Sequence, residues 1–546
     1  MKSVIKRFWL NSILVVTGAV LFSAAHPGLF DSRGLSFLGY IALIPVFILT
    51  KDNNFKSVWL YGIFYGVISY ALFCSWLFTY EKIAFIAVLV IYGLLCGVVF
   101  ELMHGCFKLF NTKFTLCGYL SSSLVWCAYE YVKTLGFLGM SYGVLGYTQW
   151  TDVPVMQIAS VCGVWGVSLL CALCSAVIVY TVEKLIAISR AGRGSAFAKT
   201  VVAGCLPMAA FILIFCAAVV YGKMTIDAPR GNTKDVKIIC VQNDTDPWKT
   251  GVDFYNNDID VLERLTDEAL EINPDAQFVV WPESAVVPSI MYNYTMKDDA
   301  ERLQLVTDVL RYVKSKKAVF VIGNQQSEFT GGRHNKDYNA VLVFDSEAGG
   351  IIPPEPEIYR KIHLVPFTEY FPYEKIFPRL YKRLLNGDTH LWDKGARREV
   401  FENRGVPFAT PICFEDTFGY ECAQFKGARL FITVSNDAWS HSAACQNQHA
   451  SMAVFRCAEN RIPAARSTAS GLTCIVDCFG GIAVQAEQFK EQAICGEVKI
   501  PAQEEKTYYS THGDWLPVAE MVALLAMSII GIIGKGVENK RQNEVQ

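Results

Sequence analysis

Carboxylates are nearly missing from the first 223 residues. Of 51 acidic residues in this 546-residue chain, only Asp31, Asp52, Glu81, Glu101, Glu130, Asp152 and Glu183 precede Met224. A chain avoids ionised side chains over such a length where burying them in hydrocarbon would be costly. The first part therefore reads as a membrane domain and the remainder as an ordinary globular one. The averages agree, with 52% hydrophobic residues, 18% charged residues and a mean hydropathy of +0.28. A basic excess is also lacking: the formal net charge of −2 supplies no general nucleic-acid surface. Paired metal-knuckle cysteine spacings are absent too. Ten of the 18 cysteines lie in the apolar first part, where a thiol acts as a small hydrophobe. The other eight (Cys240, Cys413, Cys422, Cys445, Cys457, Cys474, Cys478 and Cys495) follow no zinc-binding pattern, and a disulfide among them stays open.

What is present is a set of long apolar runs. A crossing needs about 20 such residues. Seven runs precede the globular part, at about 9–25, 36–50, 57–79, 84–105, 115–133, 159–182 and 200–222, and an eighth, Trp515 to Ile533, follows it. Residues 1–25 also resemble a signal peptide ending in Ser23-Ala24-Ala25, but an uncleaved first helix is the expectation. Glu130 and Lys133, near the end of the fifth run, are expected to pair at the membrane interface rather than line a polar site. Basic residues fix the direction. Lys2, Lys6 and Arg7, then Lys51 and Lys56, Lys108 and Lys113, Lys184, Arg190, Arg193 and Lys199, and finally Lys535, Lys540 and Arg541 all share one side if both termini are cytoplasmic. The expected organisation is a membrane domain over 1–222, a linker over 223–235, an extracytoplasmic domain over 236–513, a last transmembrane helix over 514–534 and a cytoplasmic tail over 535–546.

From Val236 onward, short β-branched and aromatic runs alternate with amphipathic stretches at 258–272, 299–315 and 446–461. The expected strands are VKIICVQ, AQFVVWPES, AVFVIGN, NAVLVFD, ATPICFE, RLFITVSND, AARSTAS and LTCIVDCFG. Continuous apolar strands separated by helices imply an α/β core with both sheet faces covered.

Three segments at expected strand ends or in the loops beside them carry chemistry: Trp281-Pro282-Glu283-Ser284, Tyr359-Arg360-Lys361-Ile362-His363 and Pro411-Ile412-Cys413-Phe414-Glu415-Asp416. Functional groups of α/β sheets collect at the carboxyl ends of strands. A thiol beside an ammonium and a helix N-terminus is expected to favour its thiolate, the nucleophilic form. A carboxylate can shuttle the thiol proton, and a fixed lysine can stabilise an oxyanion. Singly each residue is weak evidence, since a lone strand-end cysteine is more often core and a lone loop lysine is usually solvated.

Together, WPES, RKIHLVPFTE and ICFED resemble the Glu–Lys–Cys triad of the nitrilase superfamily, an αββα sandwich. With eight expected spans around them, they resemble its membrane-embedded branch, the apolipoprotein N-acyltransferases. VQNDTDPWK, GFLGMSYGVLGYTQW, SNDAW and QNQHASMAVFRCAENRIPAARSTASG extend the likeness over essentially the whole chain. The resemblance implies Glu283 as base, Lys361 as oxyanion stabiliser, Cys413 as acylated nucleophile and Glu369 as support for the lysine. It also implies substrate-handling roles for Trp248, Phe414 and Glu415. Phe414 stands where the family often has tyrosine, and Ser440-His441 where it usually has Phe-Gly. The implied partners are a phospholipid acyl donor, a diacylglyceryl-modified lipoprotein acceptor and the bilayer. A monomer with no cofactor, no metal and no nucleic acid is expected.

Other features are expected to be incidental. Gly139-Met140-Ser141-Tyr142-Gly143 matches a serine-hydrolase pattern but lacks a strand-to-helix setting, and Cys171-Ala172-Leu173-Cys174 lies inside an apolar run. Cys474 and Cys478 are expected in the core of one strand. His441 and His449 are expected to be structural or surface residues, with no carboxylate–histidine cluster beside them. Tyr370–Arg398, rich in aromatic and basic residues, is equally compatible with membrane contact and a plain surface excursion. The rival activity is a membrane-tethered amidase with water as acceptor. A transporter or receptor with an inactive domain is the reading from another class.

Overall fold

The computed structural model describes residues 2–110, 114–191, 197–331, 335–348, 350–371, 373, 376, 378–379 and 391–545. The chain forms two compact units: one of Met1–Leu135, Met140–Ala228 and His512–Gln546, the other of Gly136–Gly139 and Pro229–Thr511.

The first unit is helical. Its long elements are α1 (Lys2–Ala25), α2 (Ile44–Asp52), α3 (Phe55–Phe73), α4 (Lys82–Leu109), α5 (Thr115–Val132), α6 (Ala159–Ala191) and α7 (Phe197–Asp227), with a further C-terminal helix, Trp515–Val545. Among the described residues, five segments are long and apolar enough to cross a membrane: Ile5–Ala25, Lys82–Leu109, Ala159–Arg190, Gly204–Asp227 and Trp515–Glu538. Eight were expected. The second expected run instead forms a 3-10 turn, Ser36–Tyr40, followed by nine-residue α2, which carries Pro45 in its first turn. At 1.5 Å per residue α2 is too short to span the hydrocarbon alone. Apolar runs in sequence do not reveal such a break, because the turn residues are themselves apolar. Helix α7 continues to Asp227 and the first strand starts at Thr233, so the connecting stretch is narrower than the expected linker over 223–235.

Glu130 and Lys133 do not form the expected interface pair. Glu130 is fully buried and accepts hydrogen bonds from Trp126 Nε1 (2.8 Å), the Leu145 amide (2.9 Å) and Ser168 Oγ (2.6 Å). Lys133 donates to the carbonyls of Tyr142 and Gly143, each at 2.8 Å, and to the Tyr70 hydroxyl at 3.1 Å. The two residues pin the segment after α5, which holds the GMSYG motif, to its neighbours. Ser141 there is buried and lies in no strand-to-helix turn.

The second unit holds two six-stranded sheets, ordered β12-β1-β2-β3-β4-β5 and β11-β10-β9-β8-β7-β6. The strands are β1 (Thr233–Gln242), β2 (Phe278–Val286), β3 (Val319–Glu328), β4 (Lys336–Asp345), β5 (Glu357–Arg360), β6 (Phe401–Asn403), β7 (Val406–Ala409), β8 (Leu430–Ser435), β9 (Ala464–Thr468), β10 (Cys474–Val476), β11 (Ile482–Gln485) and β12 (Gln492–Pro501). The centre of each sheet is parallel (β1-β2-β3 and β7-β8-β9) and the flanks are antiparallel. Parallel centres put the carboxyl ends of β2 and β8 on a common rim, which the site uses.

Helix α8 (Val252–Ile272) follows β1 and α9 (Ala300–Ser315) precedes β3. In α8 the buried positions Ile259, Leu262, Leu265, Thr266 and Ala269 recur at helical spacing. Thr266 also accepts the indole N–H of fully buried Trp281 at 3.0 Å. Each buried leucine or phenylalanine of this layer stabilises the fold by about 2 kcal/mol. Asp299 caps α9 by accepting the Arg302 amide at 3.0 Å. Phe278 and Phe408 meet edge-on between the two sheets, with ring centres 5.4 Å apart. Helix α10 (Ala443–Asn460) is buried along nearly its whole length. This is the αββα sandwich.

Several local expectations differ. The strand expected over ATPICFE ends at Ala409, and only one isolated bridge, Ile412 to Val434, continues the pairing. Cys413 opens a 3-10 turn, Cys413–Thr417, rather than facing a helix N-terminus. Cys478 is buried with Cys474 but lies beyond β10, where its sulfur accepts from Arg230. All 18 cysteines are free thiols.

Candidate active site

Glu283, Lys361, Glu369, Glu415 and Cys413 come together between the sheets. Glu283 projects from β2 and is 6% exposed; its Oε1 accepts from Asn339 Nδ2 (2.6 Å) and Lys361 Nζ (3.3 Å). Its Oε2 accepts the backbone amide of Asn436, just past β8, at 2.8 Å. One carboxylate therefore links the two sheets. Lys361, 1% exposed, follows β5 and donates to Glu369 Oε1 at 2.8 Å. Glu369 is held in turn by Asn339 Nδ2 (3.1 Å) and the Val365 amide (2.7 Å).

Glu415 acts as a strap. Its Oε1 accepts from the Tyr359 hydroxyl (2.9 Å) and the amides of Ile362 (2.8 Å) and His363 (3.1 Å), while Oε2 accepts the Ile412 amide (2.9 Å). Both oxygens are thus committed to joining the loop of Lys361 to the turn of Cys413. Burial pushes the Glu415 carboxyl up, and the amides of Ile412, Ile362 and His363 pull against that.

Cys413 sits at φ 49°, in the left-handed region that costs a non-glycine residue about 1–2 kcal/mol. Its thiol is pushed well above the ordinary range, first by burial and second by the Glu283 carboxylate, with Lys361 opposing. This direction runs against the expected favoured thiolate: burial and the Glu283 carboxylate oppose ionisation, and Lys361 alone of the three favours it. Burial acts to lower the Lys361 pKa, yet Glu369 and Glu283 more than offset it and keep the ammonium charged. The site thus sets the Cys413 thiol beside the Glu283 carboxyl group and the Lys361 amine, which share a hydrogen bond of 3.3 Å.

Residues 17–177 match the family described as the apolipoprotein N-acyltransferase N-terminal domain, and residues 256–506 match carbon-nitrogen hydrolases. Apolipoprotein N-acyltransferase 1 of Treponema denticola is 37% identical over 98% of this chain and 99% of its own. The chain belongs to the apolipoprotein N-acyltransferases. A second such relative, from Treponema pallidum, is 37% identical over 89% of each chain. Among solved structures, Saccharomyces cerevisiae Nit3 of the nitrilase superfamily aligns with 52% of this chain and 96% of its own, at 17% identity and a TM-score of 0.36. The Treponema relatives and the carbon-nitrogen hydrolase match make the protein a nitrilase-superfamily acyltransferase, and it carries membrane-length helices.

In this acyltransferase, Trp248 lies in the loop after β1 with 63% of its surface exposed. Phe414 packs in an aromatic cluster with His363 and Phe418, at ring-centre distances of 5.3 and 5.0 Å. His441 is exposed, but His449 is buried between Asp416 and Asp437. A carboxylate–histidine cluster does exist, contrary to expectation; His449 lies 12 residues from Asp437 and 33 from Asp416, on separate elements that converge only on folding. Sequence reading also missed Asn339, whose amide spans both glutamates. An isolated asparagine in an apolar strand carries no distinguishing signal. The stretch 380–390 lies outside the described residues; before it, Phe367, Tyr373 and Ile376 expose at least half of their surface.

Proposed function

We propose that the enzyme moves a fatty acyl chain from a membrane phospholipid to the N-terminal amine of a diacylglyceryl-modified lipoprotein cysteine, with Cys413 as carrier. The supporting observation is the convergence of a half-buried thiol, a carboxylate and a locked ammonium at Cys413, Glu283 and Lys361. Glu283 accepts the thiol proton as sulfur attacks the ester carbonyl, and Lys361 stabilises the oxyanion. The ester C–O bond breaks, the proton passes to the departing glycerol oxygen, and a thioester plus a lysophospholipid result. In the second half the lipoprotein amine attacks the thioester, Glu283 takes a proton from nitrogen, the C–S bond breaks, and the proton returns to sulfur. Glu369 holds Lys361, and Glu415 keeps the two loops in register. The exposed side chains of Trp248, Phe367, Tyr373 and Ile376 are assigned to contact with acyl chains.

The lysine and arginine pattern supports a catalytic domain outside the cytoplasm, where both proposed lipid substrates are membrane-borne. A membrane-tethered enzyme avoids drawing acyl chains into water at about 0.8 kcal/mol per CH₂. The test supplies purified enzyme with phospholipid and a synthetic diacylated lipopeptide. Triacylated peptide is the expected product; free fatty acid with unchanged peptide would point to the amidase-like alternative with water as acceptor.

A further inference from the structure

The left-handed turn at Cys413 is held from behind by a buried ring of charge. His449 projects from α10, with Nε2 2.8 Å from Asp416 Oδ1 and 3.3 Å from the Cys413 carbonyl oxygen. Its Nδ1 lies 2.8 Å from Asp437 Oδ1. Arg466, from β9, reaches the same two carboxylates: Nε to Asp416 Oδ2 at 3.3 Å and a terminal nitrogen to Asp437 Oδ2 at 3.2 Å. All four side chains are buried. Carboxylates accept hydrogen bonds and do not donate, so both ring nitrogens of His449 carry protons. The 3.1 Å approach of Arg466 to Nδ1 sets two donors side by side on Asp437. Two anions and two cations then balance. A divalent metal among Cys413, Asp437 and His449, whose ligand atoms lie within 4.8 Å of one another, would have to displace that imidazolium proton.

We propose that His449, held as an imidazolium between Asp416 and Asp437, is a positioning residue: it grips the Cys413 carbonyl and thereby fixes the turn that aims the thiol at Glu283 and Lys361. This rests on Cys413 being the acylated nucleophile. A left-handed cysteine persists only where its surroundings over-determine it. Here the fixings are the Ile412 bridge to β8, the Glu415 strap and His449. Burial alone would lower the His449 pKa, but Asp437 and Asp416 outweigh it and raise it to about 9. The ring keeps its charge below that pH and loses it above. The charged groups that face the ring are Asp416 on the Cys413 turn, Asp437 after β8 and Arg466 on β9. Asp437 is held below the carboxylate range despite burial by His449 and Arg466; Arg466 is raised by the two aspartates against its own burial; Cys474 beside it is pushed up to about 12 by burial. The Lys361 ammonium is held well above its usual range, and a Cys413 proton lost at high pH would speed attack rather than slow it.

The test is single-turnover thioester formation from radiolabelled phosphatidylglycerol by the full-length enzyme in detergent micelles, for wild type and His449→Gln. The variant should acylate about a hundredfold more slowly, the loss expected from a small misplacement of a reacting group, with the KM for phospholipid unchanged. The wild-type rate should turn down as pH rises through about 9, and the variant should lack that limb. A wild-type rate from the variant, or a wild-type profile that climbs unbroken to pH 10, would overturn the proposal. If His449→Gln fails to fold, the wild-type profile decides alone. If wild type takes no acyl chain at all, acyl transfer itself is refuted; iodoacetamide alkylation of Cys413 then decides, and equal rates in the two proteins would remove His449 from this role.

Discussion

Replacing Glu415 by glutamine separates a tether from a substrate contact. The carboxylate accepts four hydrogen bonds, three on Oε1 and one on Oε2. A glutamine keeps one acceptor oxygen. In its best orientation the oxygen faces Tyr359, Ile362 and His363, and the NH₂ group confronts the Ile412 amide, donor against donor. A buried amide left unsatisfied costs about 1–3 kcal/mol, and three bonds weaken on losing their charge. Relief from burying an ionised group, which pushes this carboxyl up, offsets part of that. The net expectation is about 2 kcal/mol of destabilisation, or roughly 5 °C in Tm for a unit of this size. Because the strap aligns the Lys361 loop with the Cys413 turn, thioester formation should fall about a hundredfold. Thermal unfolding and single-turnover acylation measure the two effects. Unchanged melting together with weakened phospholipid binding would refute the tether and restore the substrate-handling role that family likeness implies.

Glu283→Gln removes the proton acceptor with little change of shape; thioester formation should drop by about 10²–10⁴ while phospholipid still binds, as equilibrium binding and quenched-flow acylation would show. Glu263, part-exposed on α8, is raised to about 7 by burial first and by Asp260 and Asp267 next. A carboxyl raised by folding contributes stability at low pH and loses it as pH rises through the folded value. Glu263→Gln should therefore leave melting at pH 5 nearly unchanged and stabilise the protein at pH 8, by about 1 kcal/mol once solvent screening is allowed for. A reporter fused after Arg230 should register outside the cytoplasm; a cytoplasmic signal would reverse the inferred topology.

The parts of the fold legible in sequence were those with long periodic patterns. Helices α8, α9 and α10 and the central strands have apolar runs or spacings that no other structure explains. Strands β5, β6 and β11, of three or four residues, are too short to leave a pattern, and in β12 exposed Glu497 and Lys499 alternate with buried Val498 and Ile500 over only its last few residues. Cys413, Lys361 and Glu283 stood out because their flanking residues are unusual together. The protonation of the thiol did not, since it depends on burial and on the nearness of Glu283, both products of folding. Asn339 and the ring around His449 were hidden for the same reason: the partners of Asn339 lie 30 and 56 residues away, and those of His449 lie 12, 17 and 33 away on separate elements. In the helical unit, Glu130 and Lys133 are three apart and suggest a pair, yet each finds better partners in the backbone of residues 142–145.

In the proposed reaction one sulfur carries the acyl chain between two lipids. Intact-mass measurement of the enzyme incubated with phospholipid alone tests it most directly. A single acyl adduct is expected, mapped to Cys413, released by hydroxylamine and discharged when diacylated lipopeptide is added. Transfer to the peptide with no adduct at any time, or an adduct mapped to another residue, would contradict it.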